Sequence, residues 1–240
     1  MSDLMLDVDQ AGELKAAFRR GDWTNAEIKR ACEGNFLAQV RKVLLGQAQI
    51  VDVVKKVTEV VKAVKKVLTP FITITTGGTT TDQLVVDIKA NKNENGVADE
   101  VSDYAKSMMT NKAFTISKEV GTADLVALTI AELGFASSPR TDEFMTAEFC
   151  AKWSAENLDG MVIELCQPED GPQLRKQWKD QPKGMAVWLA MKRISDSGGV
   201  PRVWRVECLS DGPRWLSGIW ARPGRRWVLG DRVVFRFRKI

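Results

Sequence analysis

The chain has 240 residues, 44% hydrophobic and 28% charged, with a formal net charge of +4. That balance fits a globular protein able to bury a sizeable core as one large or two small domains, and excludes a disordered or fibrous chain. Histidine is absent, which removes the usual general base, the Ser-His-Asp and Cys-His arrangements and most metal sites. The four cysteines, Cys32, Cys150, Cys166 and Cys208, are widely spaced with no C-x-x-C pair, so neither a disulfide framework nor a zinc site is expected. No carboxylate, Lys or Tyr constellation points to an enzyme, and no cofactor is expected. The opening MSDLMLDVDQ has no apolar signal core and no stretch reaches spanning length, so a reduced, cytoplasmic setting is expected.

In chain order, Gly12 to Arg20 reads as a short helix ended by Gly21-Asp22. A second helix begins at Thr24, whose spacing to Glu27 is that of a capping box, and a third runs from Phe36 to Leu45. Three short helices resemble a helix-turn-helix in outline, with Arg19, Arg20, Lys29 and Arg30 placed for phosphate contacts, but a plain helical bundle explains the same pattern. Residues 47–68 carry the clearest period. Ile50, Val57 and Val64 form one seam, Val53, Val60 and Val67 a second, and lysines occupy the other side. Self-association through this stripe into a homo-oligomer is the preferred reading; a basic helix on an anionic membrane and packing on its own domain are the rivals.

After Pro70, 71–75 reads as a strand and 82–90 as a helix. The Gly77-Gly78-Thr79 run lacks phosphate-loop spacing. Residues 91–96 are a polar loop, 97–109 a helix, 124–135 a buried strand entering a helical turn, and 141–157 a helix with Met145, Phe149 and Trp153 on one side. A strand at 161–165 and a helix at 171–180 precede a β-rich end from Met185, with Asp196-Ser197-Gly198-Gly199 as a hairpin turn. The expected class is α+β: a helical module at 1–70, a connecting α/β segment at 71–120, and a C-terminal domain at 121–240 with helices followed by an antiparallel β meander.

The stretch 208–232 stands apart. Gly and Pro interrupt both helical and strand periods, while Trp215, Trp220 and Trp227 punctuate it between strand-like runs at 203–206 and 233–237. Aromatic anchors with Arg and small residues between them suit a binding surface; an ordinary meander with core tryptophans is the plain alternative. From Pro201 to Ile240 there are nine Arg and one Lys against three acids. The rival function is therefore nucleic-acid binding through this tail and the N-terminal helices.

The segments DLVALTIAELGF (124–135), GPQLRKQWKDQPKG (171–184), ISDSGG (194–199) and RWVLGDRVVFRFRK (226–239), with TNAEIKRACEGNFLAQVRKVLLGQAQI (24–50), resemble a group of uncharacterised bacterial proteins. Those proteins are similar in layout to the variable proteins of diversity-generating retroelements. The resemblance implies a C-type-lectin-like domain whose last codons are rewritten by a reverse transcriptase erring at adenines. Rewriting an Asn codon that ends in a pyrimidine cannot yield Lys, Glu, Gln, Met or Trp; 208–232 contains none of the first four, and its tryptophans would be the fixed scaffold. Asn and Tyr, frequent in such faces, are missing as well. The implied ligand-binding face is Arg214, Leu216, Ser217, Gly218, Ile219, Ala221, Arg222, Arg225, Arg226, Val228 and Leu229, with Trp215, Trp220 and Trp227 packing beneath it or anchoring its rim. The implied partner is a protein or other macromolecular ligand.

Overall fold

The computed structural model describes residues 8–22, 24–25, 28–29, 41–42, 45 and 65–240. The chain divides into two compact units, Met1–Val61 and Lys62–Ile240. In the first, helix α1 (Val8–Arg20) carries Asp9 in its first turn and Arg19 and Arg20 in its last, charges that oppose the helix dipole. It ends at Gly21-Asp22, with Asp22 in the left-handed region at φ 53. Most of the two following predicted helices lies outside the described residues, as do Ile50, Val53, Val57, Val60 and Val64 of the heptad stripe. Val67 is described, and it corrects the stripe's end: it is non-helical and 81% exposed. Beside it, Lys66 bridges to Leu158 and its N–H donates to the Asn157 carbonyl at 2.6 Å. The predicted helix therefore does not run to Leu68.

The second unit is α+β. Its strands are β1 (Ile72–Thr76), β2 (Glu100–Val101), β3 (Gly121–Thr129), β4 (Met161–Glu164), β5 (Ala186–Leu189), β6 (Ile194–Ser195), β7 (Pro201–Cys208), β8 (Arg214–Trp220) and β9 (Arg232–Lys239). Its helices are α2 (Thr81–Ala90), α3 (Asp103–Met109), α4 (Thr141–Phe144), α5 (Ala147–Asn157) and α6 (Asp170–Gln177). One sheet runs β1-β3-β9-β5-β7-β8-β2, with β4 on β9 and β6 on β7. The segment 71–120 is thus no separate connector: β1 extends the sheet beyond β3, and β2 pairs with β8. Nor is the C-terminal end a simple antiparallel meander. β9 leaves β8 and lies between β3 and β5, antiparallel to the first and parallel to the second. Val233, Val234 and Phe235 are fully buried there, as expected for a central strand whose two sides are both covered.

Helix starts follow local chemistry. The Thr80, Ser102 and Thr146 hydroxyls accept from backbone amides three residues on, satisfying orphan N–H groups. The Ser102 cap places α3 at 103–109 rather than 97–109. The Thr146 cap divides the predicted 141–157 helix into α4 and α5. At the Gly-Gly-Thr run, the Gly77 N–H donates to Glu169 at 2.6 Å and the Ser117 N–H to the same carboxylate at 2.9 Å. The loop holds a carboxylate of its own chain.

Helix α6 lies close on β7 because Gly171 has no side chain: a Cβ there would fall 2.3 Å from the Trp204 ring. Trp204 is fully buried and donates from Nε1 to the Pro168 carbonyl at 2.7 Å. On the same side, Arg202 is 3% exposed. It donates to Asp196 at 2.6 Å and to the Gly218 carbonyl at 2.9 Å, and lies 3.7 Å over the Tyr104 ring. It ties the β6–β7 hairpin to β8 and α3.

Candidate ligand-binding face

Side chains of a strand alternate between the two sides of a sheet, and this alternation divides the predicted face. On β8, Arg214, Leu216 and Gly218 point inward and are buried, at 3% and 0% exposure for the first two. Trp215, Ser217 and Ile219 point the other way and are partly open. Ala221, just beyond the strand, is fully buried, its N–H donating to the Pro201 carbonyl. Arg214, Leu216, Gly218 and Ala221 therefore do not belong to a displayed face. At Gly218 a Cβ would sit 2.5 Å from Met108 Sδ and 3.2 Å from Arg202 Cδ.

That difference has a measurable outcome. Gly218→Ala is expected to cost about 1–3 kcal/mol by overpacking. Its neighbour Ser217→Ala should stay within about 0.5 kcal/mol, as a part-exposed position does. Urea unfolding of the two variants checks this.

The outward side of β5, β7 and β8 is built by register. Ala186, Glu207 and Trp215 form one row, and Trp188, Arg205 and Ser217 the next. Arg205 pairs with Glu207 at 2.7 Å and lies 5.6 Å over the Trp188 ring. Trp188 meets Trp227 edge-on at 5.9 Å, and Arg225 lies over Trp227 at 4.7 Å. Burial lowers the Arg225 pKa, with Asp231 opposing and Arg205 adding to the effect. Beside Trp188 opens a cleft of about 440 Å³ whose walls include Lys183, Met185, Ala186, Asp231 and Arg232. Three buried donor atoms on this side, Trp188 Nε1, Arg205 Nε and Trp215 Nε1, have no acceptor. Buried donors are almost always paired; these three lie beneath the open surface, out of reach of solvent.

The remaining expected residues sort by position. Trp227 is fully buried, as scaffold; it meets Phe144 at 5.8 Å and donates to Thr141 Oγ1 at 2.9 Å. Trp220 is not beneath the face: it is 57% exposed, with Arg222 over its ring at 5.7 Å. Arg225 and Arg226 donate to the Trp220 and Ser138 carbonyls. Arg222, Arg226 and Val228 are exposed, while Leu229 packs partly on the core. Trp188, Arg205 and Glu207 were missed from the sequence. For Arg205 and Glu207 the signal was the alternation Trp204/Arg205/Val206/Glu207, in which polar residues recur every second position.

The arginines bear on the nucleic-acid reading too. Of the nine in 201–240, five (Arg202, Arg205, Arg214, Arg236 and Arg238) form ion pairs with the chain's own carboxylates. The tail's basic count overstates the charge it can offer to phosphates. Among the described residues no cluster of potential metal ligands occurs, and no helix is long and apolar enough to cross a membrane. No protein-family model matches the chain, and neither a curated protein nor a solved structure matches it.

Proposed function

We propose that this chain is a ligand-binding protein whose recognition face is the outward side of β5, β7 and β8 together with the exposed part of 222–228. In this reading the face is carried on a C-type-lectin-like domain and varied by a diversity-generating retroelement. The observation that carries the binding reading is the part-open row of Trp215, Ser217 and Ile219 beside the exposed Arg222, Arg226 and Val228, with a cleft of about 440 Å³ opening next to Trp188. Rigid aromatic area flanked by exposed guanidinium groups is what an adaptable paratope presents. The fitting ligand is a protein or other macromolecule that brings acceptor oxygens to meet the exposed guanidinium groups of Arg222 and Arg226. Support for tolerance to change comes from the six-residue β3–β9 ladder and buried Trp227, which hold the unit without using Ser217, Arg222 or Val228. Self-association through the stripe from Ile50 to Val64 belongs to the same proposal and would array several faces, raising weak affinities by avidity.

Sister genes of one genome test the reading. Differences concentrated at Ser217, Ile219, Arg222, Arg226 and Val228, with the tryptophans and the buried positions constant, are the expected result. Changes scattered over the whole chain would remove the proposal's main support.

A further inference from the structure

On the opposite side of β8 from that face lies a buried cluster whose charges do not cancel. Asp99 is fully buried, and two guanidiniums share it: Arg214 Nε donates to Oδ1 at 2.6 Å, and Arg175 Nε lies 3.3 Å from Oδ2. Arg175 is fully buried and Arg214 is 3% exposed. Neutral acceptors take up other N–H groups. Arg175 donates to Gln181 Oε1 at 2.5 Å and to the Trp178 carbonyl, and Arg214 to the Lys179 carbonyl. Arg214 Nη2 is buried and has no acceptor.

Arg214 also lines a cleft of about 240 Å³, with Lys179, Lys183, Gln181, Asn93 and Cys208 among its other walls. The acids facing this region are few. Glu94 is taken by Lys183 at 2.6 Å, and Asp180 also lines the cleft. Arg175, Arg214, Lys179 and Lys183 thus stand against Asp99, Glu94 and Asp180, four cations to three carboxylates. The Cys208 thiol does not supply the missing charge, because burial raises its pKa although Arg175, Arg214 and Lys183 pull the other way. Burying an uncompensated cation is unfavourable, so a built cleft beside one is a place for an anion. Its volume lies below the roughly 300–1,000 Å³ of drug-sized pockets.

We propose that the cleft between 93–94, 179–183 and the start of β8 binds a small oxyanion, a phosphate or a carboxylate, held by Arg214 and flanked by Lys179 and Lys183. The site shares Lys183 with the cleft beside Trp188, but its argument does not depend on the reading of the recognition face.

Thermal unfolding of the full chain with inorganic phosphate or acetate, each against sodium chloride at matched ionic strength, tests it. A saturable upward shift of Tm with phosphate alone assigns a phosphate, with acetate alone a carboxylate. Saturation by neither overturns the proposal. Lys183→Glu, at a half-exposed side chain, keeps the buried cluster and is expected to weaken the apparent affinity at least tenfold. Lys118→Glu, away from the cleft, should leave the anion-dependent shift unchanged. Equal shifts in both variants would show nonspecific ion effects and overturn the site. Arg214→Lys, read in the same way, is expected to abolish saturation where the variant folds.

Discussion

Asp99→Asn is expected to destabilise the protein by about 3–5 kcal/mol, the cost of leaving buried charge without its partner. Asp99 is fully buried and is the one carboxylate shared by Arg175 and Arg214. Burial already lowers the Arg175 pKa to about 10; Asp99 opposes that shift, whereas Arg214 adds to it. Without Asp99 the two guanidiniums would repel with no carboxylate between them. The double variant Asp99→Asn/Arg214→Gln removes one charge of each sign and should cost clearly less than the sum of the single changes, a coupling between contacting residues. Equilibrium urea unfolding of the four proteins in the cycle gives the result. Additive losses would mean that the cluster is not electrostatically coupled.

Trp227→Ala is expected to cost about 3–5 kcal/mol, the range for deleting a large buried aromatic. Its indole is fully buried between Phe144 and Trp188 and donates to Thr141. Trp227→Phe keeps most of the ring and loses the donor, so it should cost about 1 kcal/mol beyond the change in packed area. The alanine variant also removes the support beneath Trp188, which ties the stability of 208–232 to the geometry of the proposed face. Near-ultraviolet circular dichroism should show the aromatic signal changing more in Trp227→Ala than in Trp220→Ala, because Trp220 is 57% exposed.

Much of the fold was legible where side-chain period and local chemistry agreed. β1, α2, β4 and β9 fall within a few residues of the predicted spans, and the Asp196 turn closes as expected, with the Asp196 N–H donating to the Val200 carbonyl. β8 was missed because Gly218 looks like an interruption; it is a strand residue facing Met108, where no side chain fits. The Asp211-Gly212 pair, with Gly212 at φ 108, joins β7 to β8 and was the available hairpin signal. The parallel placement of β9 beside β5 is a long-range choice that no local period encodes. For the proposed face, the sequence reading treated 214–229 as continuous, and the structure divides it. Alternation along β8 sends Arg214 and Ser217 to opposite sides, and the partners Trp188 and Arg205 come from other strands.

The most direct test of the central claim is to sequence the genomic locus and compare the DNA encoding 208–232 with any near-copy beside a reverse transcriptase gene. The account predicts such a copy, differing only where it carries adenines. The affected codons should be those of open positions such as Ser217, Ile219, Arg222 and Val228, with Leu216, Gly218 and Trp227 constant. A locus without the copy, or one whose differences fall on the buried codons, would contradict it.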